Sequence, residues 1–338
     1  MTPKERARAA LSLKEPDDIV PTMEIEFHLH RALTGNEPVL GGEFGKLTGK
    51  ARERAIAQNV EIYSAQVELL DYSSVTIDPL YWEFGHGVGT RFYYPCLQDQ
   101  IDVAKRLYAE IGDKAFVAVS MDSTFGIPLS ENFEAFIMDM YEQPDSLLKA
   151  GKKNLEKMLE GAKKLIDAGV GVFYCCSDYC FGTSSFFSRE QFERFVFPFL
   201  KEQTEALKQS GAYVIKHTDG NINQILDMIL DSAPHALHSI DPMAGMDIAS
   251  IKTQIGDRIC IMGNVDASVL ERGPKDAIER SAEYALKSAM PGGGYIFSTC
   301  NTVFEAIPYE NYRIMLDVRK RLGLYNRSTE PIAHSEVR

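Results

Sequence analysis

The sequence predicts an α/β fold, a (β/α)8 or TIM barrel of eight parallel strands, each followed by a helix. Three observations point to it. Short apolar runs alternate with long amphipathic ones along the 338 residues, the rhythm of strand–helix units. Runs such as Val170-Gly-Val-Phe-Tyr174, Ala212-Tyr-Val-Ile215 and Ile259-Cys-Ile-Met262 are almost continuously apolar, as strands covered on both faces should be. The ends of these runs are polar nearly without exception, and the C-terminal strand ends are where such a barrel builds its site. An open doubly wound sheet is the alternative.

In order, strands are expected near residues 19–27, 73–78, 115–121, 170–177, 212–217, 236–240, 257–263 and 294–299. Helices are expected over 50–70, 98–111, 144–168, 188–209, 221–231, 246–255, 273–288 and 308–321. Residues 153–167 carry apolar side chains three and four apart, the spacing of a helix laid on a sheet, and Gly169 stops it. Residues 29–50 and 79–97 are longer irregular insertions, and 122–143 is partly helical. The whole of 1–325 reads as one barrel domain, with 326–338 a solvated tail.

Composition bounds the function. Lys+Arg 36 against Asp+Glu 48 leaves a net charge of −12, which argues against a nucleic-acid or anionic-membrane surface. No stretch reaches the roughly 18 apolar residues of a membrane span, and the first residues lack a signal-peptide core. Six cysteines in so long a chain are not a disulfide scaffold. A reducing cytoplasm is the expected compartment, with any special cysteine a ligand or nucleophile.

The strand ends carry the chemistry. Glu24, Glu26 and His28 share one face of the first strand. Later strands end in Asp78, Asp122, Asp178, His217-Thr-Asp219, Asp241, Asn264-Val-Asp266 and Cys300-Asn301. Any one of these acids is an ordinary helix cap or turn residue. As a ring they predict a polar cavity, because buried charges must be paired, hydrogen-bonded or bound to metal. His217 and Asp219, two apart, point to one side of a strand. With Cys300, meeting across the barrel mouth, they would form a three-ligand zinc site with an open fourth position. The alternative is a histidine bonded to a backbone carbonyl beside an ordinary buried cysteine.

Other signals are weaker. Glu24, Glu26 and His28 are lesser ligand candidates. Cys260 lies inside a strand and reads as core. Cys175, Cys176 and Cys180 lack the second pair of a zinc ribbon. Gly85-His-Gly87-Val-Gly89 opens no helix and is not a phosphate loop. Tyr81, Trp82, Phe84, Phe92, Tyr93 and Tyr94 either line a pocket for a flat ligand or form a loop's own small core.

Several motifs, taken in order, carry a resemblance: His217-Thr-Asp-Gly-Asn221, His238-Ser-Ile-Asp-Pro242, Gly263-Asn-Val-Asp266, Pro291-Gly-Gly-Gly-Tyr295 and Ile307-Pro-Tyr-Glu-Asn311. Together they resemble the uroporphyrinogen decarboxylase superfamily over about residues 170–325. Asp17-Asp-Ile-Val-Pro21 is similar to the family's opening. The resemblance implies the same barrel and one of two chemistries. The decarboxylases bind a tetrapyrrole with many carboxylates and carry an arginine-rich segment after the first strand, where this chain is acidic, from Glu24 to His30. A polyanion would be repelled there. The other branch comprises zinc-dependent methyltransferases that act with corrinoid proteins, using His-x-Cys and a distal Cys as zinc ligands. His217 and Cys300 match that pattern, while Asp219 stands where the first Cys would be.

A carboxylate makes the site harder than a thiolate does and suits an oxygen ligand such as a phenolate. The resemblance therefore implies a methyltransferase of the O-demethylase type, taking a methyl group from a small methylated substrate, a methoxylated aromatic above all, to the cobalt of a separate corrinoid protein. Asp178, Asp241, Asn264 or Asp266 would orient substrate or support the ligands. A lyase of the same superfamily and a non-catalytic corrinoid or small-molecule binding barrel are the alternatives.

Overall fold

The structure, a computed structural model, describes residues 1–77, 81–85, 88–93, 96–128 and 130–325. In chain order its strands are β1 (Ser74–Thr76), β2 (Tyr81–Gly85), β3 (Val88–Tyr93), β4 (Phe116–Ser120), β5 (Val170–Cys175), β6 (Tyr213–His217), β7 (Ala236–Ser239), β8 (Cys260–Val265) and β9 (Tyr295–Thr299). Seven of them form one parallel sheet in the order β1-β4-β5-β6-β7-β8-β9. β2 and β3 form a separate antiparallel hairpin inside the expected insertion at 79–97. Asp78, the side chains of the aromatic residues from Tyr81 to Tyr94, the loop centre at 86–87 and the tail at 326–338 lie outside the described residues.

Alternation along each strand explains why both faces are buried. Phe116 and Ala118 of β4 and Val172 and Tyr174 of β5 point inward. They join Ile215, Ala236, Met262 and Ile296 in an inner core, which also takes Cys260 as a packing residue. Val117, Val119, Phe173 and Val214 point outward against the helices Leu97–Ile111 and Pro144–Asp167. With both faces covered, strand register is set by packing on both sides.

The expected first strand is a correction. Residues 19–27 make only isolated bridges, Ile19 with Leu324, Thr22 with Phe297 and Phe27 with Val303. Pro21 has no N–H to give a ladder, and Val20 N–H is spent on Gly323 O. The extended segment is nevertheless bonded on both sides, Ser73 N–H donating to Thr22 O and Phe297 N–H to Pro21 O. It lies between β9 and β1 and carries Glu24 into the interior.

Other boundaries moved for local reasons. The expected helix at 188–209 is two, Arg189–Phe195 and Phe197–Gln209. Pro198 cannot continue the first turn-by-turn ladder but suits the start of the second. The helix expected from residue 221 begins at Leu226, because Asn221 Oδ1 accepts the Asn223 N–H in a local turn. An additional helix, Pro3–Leu11, opens on a capping box in which Thr2 and Glu5 satisfy each other's backbone N–H. It packs Ala7, Ala10 and Leu11 into the inner core. Among the described residues no helix is long and apolar enough to cross a membrane.

Candidate metal centre

β6 delivers His217 at its last position and Asp219 in the turn beyond. His217 is buried, and its Nε2 stands 3.7 Å from Asp219 Oδ1. The turn is held by Gly220, whose φ is +85°. A Cβ there would meet Cys180 O and Phe181 O at 2.5 Å, so only glycine lets the chain pass those carbonyls. The loop after β5 supplies Asp178, with Oδ1 3.8 Å from His217 Nε2 and accepting the Asp219 N–H at 2.9 Å. Asp178 is half-exposed, so the cluster opens to solvent on its side.

Among the described residues, the potential ligand atoms of Asp178, His217 and Asp219 lie within 4.8 Å of one another. The spacing fits an ion. Two donors each about 2.1 Å from zinc at a tetrahedral angle are about 3.4 Å apart, whereas 3.7 and 3.8 Å are too long for direct hydrogen bonds. The charge fits as well. Burial, and then the Asp178 and Asp241 carboxylates, push the Asp219 carboxyl upward against the pull of His217. No lysine or arginine among the described residues pairs with Asp178 or Asp219. A divalent cation would meet that excess of negative charge.

Cys300, expected from the sequence as the third ligand, stands outside this cluster. The end of β9 turns its sulfur toward the helix Ala267–Arg272, where it accepts the Ala267 N–H at 3.4 Å. Burial, with Asp241 and Asp219 nearby, pushes the thiol well up. Asp178, expected to orient substrate, takes the neighbouring place instead.

The remaining sequence candidates hold backbone. Asp241 accepts from Gly220 N and Met243 N, bracing the turn behind Asp219. Asn264 Nδ2 donates to Ile240 O at 3.0 Å. Asp266 caps the helix after it through Ser268 N and Val269 N, worth about 1 kcal/mol. Asn301, named only as a strand-end residue, donates from Nδ2 to Asp219 Oδ2 at 2.6 Å and so fixes which oxygen faces His217.

Two buried networks sit beneath the cluster. Lys216, fully buried, donates to Asp122 Oδ2 at 3.1 Å, Cys175 O at 3.0 Å and Ser177 O at 2.9 Å, tying the ends of β4, β5 and β6 together. Glu24, also buried, accepts from Ser298 Oγ, Thr299 N and Tyr312 OH. Burial outweighs these donors and lifts its carboxyl to about 7. Glu26 lies 3.1 Å from His28 Nε2. None of these three acids reaches the metal cluster.

Sequence reasoning missed the role of His238. It sits on β7 directly opposite His217 in register. The two Nδ1 atoms are 2.8 Å apart, and His238 Nε2 lies 2.9 Å from Thr299 O. Burial, and then the neighbouring His217, hold its basicity well below the ordinary histidine value. The signal was present as a second strand-end histidine in the motif His238-Ser-Ile-Asp-Pro242, one strand on from His217.

The parallel α/β sheet with an acid-and-imidazole cluster at its C-terminal edge defines an enzyme-like scaffold. Residues 95–322, about two thirds of the chain, match the family described as uroporphyrinogen decarboxylase (URO-D), and the chain belongs to that family. Among curated proteins it is 26% identical over 141 residues to the uroporphyrinogen decarboxylase of Chlorobium phaeovibrioides, covering 40% of this chain and 39% of that protein. It is 22% identical over 209 residues to that of Chloroherpeton thalassium, covering 59% and 56%. The chain thus spans about half the length of the curated relatives it matches. Among solved structures, a methyltransferase from Methanosarcina mazei superposes with a TM-score of 0.73 at 20% identity, covering 95% of this chain and 99% of that one. That likeness is one of fold.

Proposed function

We propose that the protein is a zinc-dependent methyltransferase that moves a methyl group from a small methylated substrate, best a methoxylated aromatic, to the cobalt of a separate corrinoid protein. The observation that carries the reading is the Asp178–His217–Asp219 cluster, three donors spaced for one ion at the C-terminal edge of the sheet. The fold shared with a methyltransferase supports it. We also read the extended segment at 20–28 as the eighth stave of a (β/α)8 barrel.

The residues divide the work. His217 Nε2 and one oxygen each of Asp178 and Asp219 would hold zinc, which when bound supplies Lewis acidity to an ether oxygen. Two carboxylates and one imidazole make a hard donor set that favours an oxygen ligand over a thiol. Asn301 keeps Asp219 turned inward, and Asp241 with Gly220 holds the turn that carries it. The half-exposed Asp178 marks the side from which substrate enters. The methyl carbon needs no protein nucleophile: its bond to oxygen breaks with the electron pair staying on the phenolate, and the acceptor supplies the pair for the new bond.

The test joins metal analysis to a transfer assay. Protein purified without chelator should carry stoichiometric zinc. With a corrinoid protein and a reductant that makes cobalt(I), it should methylate cobalt from at least one member of a panel of methoxyarenes and methylamines. Absence of zinc from folded protein, or no methylation across the panel, refutes the reading. Cys300→Ala separates two ligand sets: retained zinc leaves Asp178 as the third ligand, and lost zinc assigns the thiolate.

The names of the curated relatives favour a second reading, a decarboxylase of the same family. The acidic surroundings, with Asp178 and Asp241 close to Asp219, oppose a substrate of many carboxylates. Turnover of uroporphyrinogen by metal-free protein would establish it.

A further inference from the structure

The cluster has a built-in choice of which imidazole nitrogen it presents. Thr299 O can only accept, so the hydrogen between it and His238 Nε2, at 2.9 Å, belongs to His238. His238 is fully buried and no carboxylate bonds to it, so it is neutral and carries a lone pair on Nδ1. The 2.8 Å contact between the two Nδ1 atoms then needs its single proton from His217. The tautomer with its hydrogen on Nδ1 is the one that leaves an Nε2 lone pair of His217 facing Asp178 and Asp219.

We propose that His238 is a positioning residue: by accepting the His217 Nδ1–H it selects the tautomer and ring orientation of His217 that present Nε2 to a metal ion held with Asp178 and Asp219. The chain is anchored at its far end. Thr299, whose carbonyl orients His238, is itself held by Glu24 through its backbone N–H at 3.1 Å and its hydroxyl at 2.7 Å. The order Glu24–Thr299–His238–His217 thus runs from the inner core to the cluster across β9, β7 and β6. In most metal sites the partner of a ligating histidine is a carboxylate or a carbonyl. Here a second imidazole takes that place, which keeps the support uncharged beneath an already acidic cluster.

The inference rests on the metal reading of the cluster but not on methyl transfer. Its first measurement needs no metal. Nitrogen-15 spectra of the metal-free protein, assigned by single replacement of each histidine, should show His217 protonated on Nδ1 and His238 on Nε2. His217 protonated on Nε2 with Nδ1 bare overturns the proposal. The second measurement is zinc affinity by competition with a chromophoric chelator. His238→Leu removes the acceptor and should weaken zinc binding 10–100-fold. His238→Gln, whose amide can accept from His217 and donate to Thr299 O, should recover most of it. Folded His238→Leu that binds zinc as tightly as the parent also overturns the proposal. Should the parent bind no zinc, the metal reading fails, and with it the ligand-presenting role of His238; the spectra then report the histidine pair alone.

Discussion

Lys216→Met tests whether the strand ends beneath the cluster are held by one buried ion pair. Lys216 is wholly buried and 3.1 Å from Asp122 Oδ2. At that distance and an effective dielectric of about 20 the attraction is about 5 kcal/mol, much of it offset by the cost of desolvating both charges. Removing the ammonium strands a buried carboxylate and leaves Cys175 O and Ser177 O without this donor. Such losses cost about 3–5 kcal/mol. Asp122 keeps the N–H and hydroxyl of Thr124, the Ser177 N–H and Gln203 Nε2, which places the expected cost at the lower end, about 3–4 kcal/mol.

At about 2.1 cal/mol/K per residue, this chain would lose roughly 4–6 °C of melting temperature. The pH dependence carries a second signature. Burial raises the Asp122 carboxyl, but Lys216 and the donors outweigh it and hold it below its ordinary value. Its stabilisation is therefore present above the unfolded carboxyl range near pH 4 and is lost as pH falls through the lower folded value. Without Lys216 the folded Asp122 value rises toward or above the unfolded one, so this loss on acidification should shrink or reverse. Calorimetry or urea melts from pH 3 to 7 would show both. A variant melting within about 1 °C of the parent with an unchanged acid limb would refute the argument.

Other substitutions probe separate parts. Glu24 titrates near 7 when folded against an ordinary 4.5, so the folded state binds its proton more tightly. The stability it gives is complete below about pH 4 and lost as pH rises through 7, roughly 3 kcal/mol in all. Urea melts at pH 5 and 8 should therefore show a smaller difference for Glu24→Gln than for the parent. Gly220→Ala forces a Cβ into two carbonyls at positive φ; it should cost at least about 1 kcal/mol and weaken zinc binding by displacing Asp219. Parent-like stability with full zinc affinity would clear that turn of any role. Arg319, buried on the C-terminal helix, donates to Val20 O at 2.8 Å and Asp71 Oδ2 at 3.0 Å. Arg319→Leu should cost about 3–5 kcal/mol, and Arg319→Lys should not restore it, because one ammonium cannot reproduce the guanidinium fork. A lysine variant as stable as the parent in thermal melts would contradict this.

Much of this protein was legible one residue at a time. Apolar runs such as Val170-Gly-Val-Phe-Tyr174 specify parallel strands, and the three-and-four spacing of 153–167 specifies a helix, because periodicity is local and each element buries its own pattern. The motif order from His217 to Asn311 specified the family, and His217 with Asp219 gave two of the three residues of the cluster, since neighbours two apart share a side. The rest depended on partners distant in sequence. Asp178 was one acid among many until the loop after β5 brought it to Asp219. Cys300, expected as a ligand, has its sulfur at the Ala267 N–H, a contact that the end of β9 sets and the sequence does not show. Residues 19–27 read as a strand because hydrophobicity does not register where a proline's missing donor falls. His238 acquires a role only when parallel register sets it opposite His217, a relation that exists between strands and in neither alone. Local pattern decides what a segment is; only the tertiary structure decides which side chains across segments face one another, because that follows from register, turn geometry and the hydrogen bonds that buried polar groups must find.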